Sequence, residues 1–303
     1  MSHIIEVTNL HKQYGPTIAV DDISFTIESG EIFAIVGPNG AGKTTTVESI
    51  IGLRRPDSGH IRVLGLNPQQ DEAALRQRIG VQLQQAALPT RIKVWEALDL
   101  FASFYKRTVD WEPLLQDWGL AEKRNAQFDK LSGGQKQRLF ICLALLNDPE
   151  VVFLDELTTG LDPQARHATW DAVRAIRDRG KTVVLVTHFM DEAQALADRV
   201  AIIENGRVVA LDTPQKLITR LDTSRRVLFT NPNGFNPQEL AHLPDVTQVN
   251  EQDGEVTVYG RGPLLIRVAA ALNERQLYPD DLRPEQADLE DVFLSLTGHQ
   301  IRD

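Results

Sequence analysis

Two rhythms of apolar and polar residues run along this chain. Residues 4–10 and 23–27 alternate apolar with polar positions, the period of half-buried strands, and predict an antiparallel piece at the amino end. Residues 32–36, 151–154 and 182–187 are instead apolar along nearly their whole length, as expected of strands covered on both faces in a parallel sheet. Helical spacing appears over residues 46–53 and 72–79, in Val94, Leu98, Phe101, Ala102 and Tyr105, and again over residues 114–120. Residues 90–128 therefore read as a helical insertion, which the strong helix after Ser132 extends to about residue 145 before Asn147-Asp148-Pro149 stops it. Residues 61–64 form a short strand, and residues 200–204 and 207–211 a hairpin turning on Asn205-Gly206.

The segment between the first apolar run and its helix is Gly37-Pro38-Asn39-Gly40-Ala41-Gly42-Lys43-Thr44-Thr45. It fits the spelling of a phosphate-binding loop at every fixed position and has the required strand before it and helix after it. Glycines let the backbone turn its N–H groups inward, and the new helix adds its positive end. Lys43 is placed to reach terminal phosphates and the Thr44 hydroxyl to hold Mg²⁺. The plainer alternative is a glycine-rich turn with a surface lysine.

Three further features fall near strand or helix ends. Ser132 and Gln135, flanking Gly133-Gly134, have the spacing of a capping box, and the helix start they form is a second anion site of the same physical kind. Asp155 and Glu156 close the apolar run at 151–154, where one acid holds Mg²⁺ and the next acts on an attacking water, unless both are only helix caps. His188 follows the run at 182–187 and is either a structural histidine or a sensor of a terminal phosphate. Tyr14 stacks on a base or covers a sheet edge, and Gln84 reaches a metal or nucleotide or is a loop residue.

Composition narrows the classes. At 303 residues, 42% hydrophobic and 24% charged, the chain is an ordinary globular one of one large or two smaller domains. Its net charge of −10 argues against nucleic-acid binding. Residues 223–303 carry seven arginines and no lysine against thirteen acids, and their strand and helix patterns predict a separate small α+β domain without catalytic residues. The lone Cys142 lies in an apolar run and reads as a buried hydrophobe in a reducing compartment. No secretory signal is visible, nor any run near the ~18 apolar residues that cross a bilayer.

With these residues assembled, the chain closely resembles the nucleotide-binding subunit of an ATP-binding-cassette (ABC) transporter over roughly residues 4–220. Residues 37–45 match its Walker A loop, Gln84 its Q-loop and Leu131-Ser132-Gly133-Gly134-Gln135 its signature. Residues 151–156 match its Walker B strand, Gly160-Leu161-Asp162 its D-loop and His188 its switch histidine. Tyr14 stands where the family places its adenine-stacking aromatic. The resemblance implies an α/β phosphate-loop NTPase cassette, residues 1–221, with an accessory domain at residues 222–303. It implies ATP cradled by residues 39–45, Mg²⁺ held by Thr44, Gln84 and Asp155, and hydrolysis by Glu156 with His188 and Gln84. A homodimer or paired cassette is implied, in which Ser132, Gly134 and Gln135 complete the partner's ATP site and Asp162 links the two. The family also implies a separate transmembrane subunit gripping residues 85–94 from Gln85 to Val94, and a peripheral position on the cytoplasmic face of the inner membrane. The C-terminal Asp288-Leu289-Glu290-Asp291-Val292-Phe293 resembles subunits of drug, lipid or polysaccharide exporters, with import, or a soluble cassette without transport, as the alternatives. Leu157 departs from the family's usual proline and is expected to loosen the turn toward Asp162.

Overall fold

Alternating burial closes the amino end into a hairpin. In β1 (His3–Tyr14) and β2 (Thr17–Glu28) the buried positions Ile5, Val7, Leu10, Ile23, Phe25 and Ile27 share one face, and the strands pair antiparallel from His3 opposite Glu28 to Tyr14 opposite Thr17. The computed structural model describes residues 3–83, 87–221, 225–232 and 234–297. β3 (Ile32–Val36), buried at every position, leads through the glycine loop into α1 (Lys43–Ile50). β4 (Ser58–Val63) pairs with the free edge of β1, completing a three-stranded sheet in the order β2-β1-β4. The rings of Phe25 and Phe33 stack 5.2 Å apart and join this sheet to β3 through one shared apolar core.

The chain then passes through α2 (Glu72–Arg76), β5 (Ile79–Gln82), α3 (Val94–Ala102), α4 (Trp111–Asp117) and α5 (Gly133–Leu145). β6 (Val151–Asp155), α6 (Pro163–Asp178), β7 (Thr182–Thr187), α7 (Met190–Leu196), β8 (Arg199–Glu204) and β9 (Arg207–Asp212) follow. The main sheet runs β5-β6-β7-β3-β8-β9, parallel except for β9. β9 turns back at Asn205 (φ 48°) and Gly206 (φ 75°), two consecutive left-handed residues whose twist suits a tight hairpin. Because β3 enters between β7 and β8, the carboxyl ends of β6, β7 and β3 lie side by side, the arrangement in which open α/β sheets present ligand sites. Helix α6 buries Thr169, Trp170, Val173 and Ile176 along one face. Asp162 starts it by accepting the N–H of Ala165 at 2.9 Å, with Pro163 at its first position.

Residues through Thr213 form one compact unit and those from Pro214 a second. The boundary at 221/222 expected from sequence differs from this one by α8 (Pro214–Thr219), which falls in the second unit. That unit adds β10 (Arg225–Thr230), β11 (Val246–Gln252), β12 (Glu255–Gly260), α9 (Leu264–Glu274), β13 (Arg283–Gln286) and α10 (Leu289–Thr297). Its antiparallel sheet is ordered β11-β12-β10-β13, and Val227, Phe229, Val256 and Val258 pack beneath α9. Arg226 bonds Glu285 on β13 and Asp291 on α10, each at 2.7 Å.

Glycine 80, on β5, has no room for a side chain, since an added Cβ would overlap the Ala144 carbonyl oxygen of α5. Gly133 faces open space at the start of α5. Gly80→Ala should therefore lower the melting temperature by about 3–10 °C, given about 1–3 kcal/mol for overpacking. Gly133→Ala should leave it unchanged or slightly raised. Equal thermal melts for the two variants would contradict the seating of β5 on α5.

Candidate functional site

The loop from Gly37 to Gly42 is shaped as much by its neighbours as by any ligand. Gly37 (φ 152°) and Gly42 (φ 101°) lie so close to the carbonyl oxygens of Ile203 on β8 and Ala19 on β2 that a Cβ would overlap them. Gly40 (φ 82°) has open space and needs glycine only for its backbone conformation. Ala41 O accepts the N–H of Gly206, so the hairpin turn of β8 and β9 braces the loop from outside. Pro38 is half-buried, while Asn39 and Gly40 are exposed.

Helix α1 starts at Lys43 with no side-chain cap and no acid in its first turn, leaving that end suited to an anion. Lys43 is 6% exposed, and its Nζ donates to the carbonyls of Gly37 at 2.7 Å and Pro38 at 3.0 Å. Burial lowers its pKa, with the carboxylates of Glu156 and Asp155 pulling it back up. Thr44 is exposed and Thr45 half-buried beside it.

Asp155 ends β6 at 4% exposure, and the next residue, Glu156, turns the chain with φ 49°, a conformation uncommon for a residue with a side chain. The N–H of Glu156 donates to Val186 O at 2.8 Å, holding the turn against β7. Its Oε1 stands 3.2 Å from Nδ1 of His188, which follows β7 directly. Lys43, Asp155, Glu156 and His188, spread over 145 positions of sequence, thus meet at the ends of three neighbouring strands. The arrangement offers a buried cation for a phosphate, a carboxylate for a hard metal ion, and a carboxylate and imidazole for a water or a terminal phosphate.

Ser132, Gly134, Gln135 and Asp162 gather elsewhere in the same unit. Ser132 Oγ accepts the N–H of Gln135 at 3.3 Å, and Gln135 Oε1 accepts the N–H of Ser132 at 2.9 Å, the reciprocal pair of a capping box. Gly134 abuts Leu161, and with Asp162 these residues border a cleft of about 430 Å³ between α4, α5 and α6. Leu157 is fully buried, and two turns follow it, closed by Thr159 N–H to Glu156 O at 3.4 Å and Leu161 N–H to Thr158 O at 3.1 Å.

Tyr14 sits at the tip of the β1–β2 hairpin, 39% exposed, with Lys12 Nζ 5.4 Å and the Arg54 guanidinium 5.3 Å from its ring centre. Gln84 and Gln85 lie outside the described residues. Cys142 is fully buried and desolvation raises its thiol pKa far above the usual range, as befits an inert core residue. Two features escaped the sequence reading. One is an apolar groove of about 510 Å³ lined by Leu53, Ile79, Val81, Leu83, Phe104 and Tyr105, drawn from three separate segments. The other is the partner of Gln82, one of the glutamines that follow a short apolar strand: Gln82 is 4% exposed and its side chain bonds the backbone of Asp155. Only the neighbouring strand reveals it.

A family model described as ABC transporter matches residues 20–159. A Nod factor export ATP-binding protein I of Burkholderia lata is 38% identical, covering 99% of this chain and 98% of that protein. One of Sinorhizobium fredii is 40% identical over 99% of this chain and 87% of its own length. Among solved structures, an ATP-binding subunit of an ABC transporter, 30% identical, covers 72% of this chain and 92% of its own with a TM-score of 0.66. A dimeric ATP-binding cassette in a post-hydrolysis state bound to ADP and Pi, 26% identical, covers 69% and 98% with a TM-score of 0.62.

The Lys43 ammonium has a consequence for stability. Its folded-state pKa lies below that of a free lysine, so the charged form costs stability at neutral pH, and the cost fades as pH rises through the lowered value. Lys43→Met should therefore melt, without ligand, within about 2 °C of the parent or above it, because it removes the cost of burying the ammonium while keeping the side chain's apolar packing. Inorganic phosphate and nucleotide binding by calorimetry should be lost. A large drop in melting temperature would mean that the ammonium holds the loop together.

Proposed function

The chain belongs to the ABC transporter family as an ATP-binding subunit, and on that premise we propose that it hydrolyses ATP to drive export through a separate membrane-spanning protein. One observation carries this reading: the buried Lys43 ammonium shares the end of the sheet with Asp155 and with Glu156, whose Oε1 is 3.2 Å from His188. A buried cation facing two carboxylates on one side and an open glycine loop on the other suits a polyphosphate whose far end is to be attacked by water.

In this site Tyr14 stacks on the adenine, and the backbone N–H groups of residues 39–45 turn to the phosphates. Lys43 exchanges the carbonyls of Gly37 and Pro38 for phosphate oxygens. Thr44 and Asp155 offer hard oxygen donors, with Gln84 as a further one. Among the described residues no group of three or more His, Cys, Asp or Glu forms a dedicated metal cage. That donor set fits Mg²⁺, which keeps several waters and binds through few protein ligands plus phosphate. Bound with the nucleotide, the ion neutralises charge on the phosphate oxygens. Glu156 orients the attacking water and takes its proton, while His188 holds the carboxylate and contacts the terminal phosphate.

Ser132 and Gln135 bond each other at the start of α5, and with Gly134 they leave a helix end to act on a second copy's ATP. Two chains packed head to tail thereby complete two sites, with Asp162 beside each. The apolar groove receives a short amphipathic segment of the membrane partner: Phe104 is 64% and Leu53 52% exposed, and apolar surface left open in this way marks an interface. Among the described residues no helix is long and apolar enough to cross a membrane, so the partner supplies the path and the chain is peripheral on its cytoplasmic side. Export as the direction follows from its relatives, which are Nod factor export ATP-binding proteins.

Glu156→Gln should lower ATP turnover by about 100- to 10,000-fold while ATP and Mg²⁺ convert the protein to a stable dimer in light scattering. A persistent monomer with ATP bound would refute the shared site. Phe104→Asp should leave ATP binding intact and abolish co-purification of a membrane-spanning partner from detergent-solubilised membranes. Retained co-purification would place the partner elsewhere.

A further inference from the structure

The parallel strands of the main sheet bond backbone to backbone, but the outermost pair ends differently. β5 and β6 run in register from Ile79 opposite Val151 to Gln82 opposite Leu154. β5 stops there, one residue before Asp155. The N–H of Asp155 is taken instead by the side chain of Gln82, whose Oε1 accepts it at 3.0 Å. The other end of the same amide, Nε2, donates to the carbonyl of Leu83 at 3.0 Å. Gln82 is almost fully buried, so neither bond competes with water. Val81 and Leu83, on either side of it, line the apolar groove.

We propose that Gln82 is a positioning residue that ties the end of the groove-lining strand to Asp155, so that the placement of the Asp155 carboxylate follows the packing of Val81 and Leu83. The proposal rests on the reading of Asp155 as a metal ligand. A planar amide bonded at both ends is a short, stiff link: displacing Leu83 pulls on Nε2, and Oε1 moves with it. Removing the amide takes away the Gln82 bond to the Asp155 N–H, and the strand end then shifts or admits water. The link is longer than a backbone ladder bond by one side chain, which lets groove and metal site move together without breaking the sheet.

The test uses ADP binding to the full chain by calorimetry, with Mg²⁺ and with a chelator, and amide exchange of the segment around Asp155 in the nucleotide-free protein. Gln82→Met, of similar volume, is expected to weaken Mg²⁺-ADP binding by about tenfold, the worth of one buried hydrogen bond, while ADP in chelator binds within about twofold of the parent. Exchange at residues 153–158 should accelerate by a similar factor. Gln82→Glu is the conservative replacement: burial beside Asp155 favours its neutral acid, whose carbonyl and hydroxyl repeat both bonds, and Mg²⁺-ADP affinity should stay within about threefold. Leu83→Ala should also speed exchange at residues 153–158 in the parent but add nothing in the Gln82→Met background. A residue that only supports the fold would weaken ADP binding equally with and without Mg²⁺, and that result overturns the inference, as does full additivity of the two substitutions. Asp155→Asn separates the premise from the inference. If it keeps the Mg²⁺ dependence, the metal reading fails; if it loses that dependence while Gln82→Met retains it, the role of Gln82 fails. Slow exchange of the Asp155 amide in the unaltered protein is required in either case.

Discussion

Everything at the nucleotide end of this protein depends on keeping one ammonium group charged inside a loop that is nearly closed to water. Lys43 is held by two backbone carbonyls and by the field of Asp155 and Glu156, against a burial cost that lowers its pKa. No single strand supplies such an environment. It needs the carbonyls of the loop after β3 and the carboxylates after β6 brought within electrostatic reach, and the order β6-β7-β3 does this by putting their carboxyl ends side by side. His188, at the end of the strand between them, meets Glu156 for the same reason.

The close packing around that loop follows from the same demand. Backbone carbonyls of Ile203 and Ala19 press against Gly37 and Gly42, and the turn at Gly206 bonds Ala41, so protein neighbours clamp the loop from outside. A preformed cradle spares the cost of ordering the loop on binding. Glu156, held in a left-handed conformation by its bond to Val186, is strain of the kind that collects where a side chain must be aimed.

The remaining surfaces of the first unit divide the work. The start of α5 is capped by its own Ser132 and Gln135 and borders a cleft shared with Asp162, while the apolar groove lies under β5. The buried Gln82 side chain bonds both Leu83, beside the groove, and the backbone N–H of Asp155 at the end of β6.

Local residue order by itself determined the pieces that use short-range chemistry. The glycine loop, the Ser132–Gln135 capping box, the Asn205-Gly206 hairpin and the doubly covered strands at 32–36, 151–155 and 182–187 were all legible, because turn geometry, capping and burial period are written within a few residues of each other. The α+β pattern of the second unit was legible for the same reason, though its edge strand β13, exposed at every position, was not. Helix α6 was missed although Thr169, Trp170, Val173 and Ile176 keep helical spacing, because polar residues dominate the rest of it. Only the tertiary structure decided which strand ends adjoin, that Gly37 and Gly42 answer to Ile203 and Ala19, that Leu157 is fully buried, and that Gln82 completes the ladder at Asp155. These facts depend on strand order and on backbone approach between segments far apart in the chain, and no local pattern encodes either.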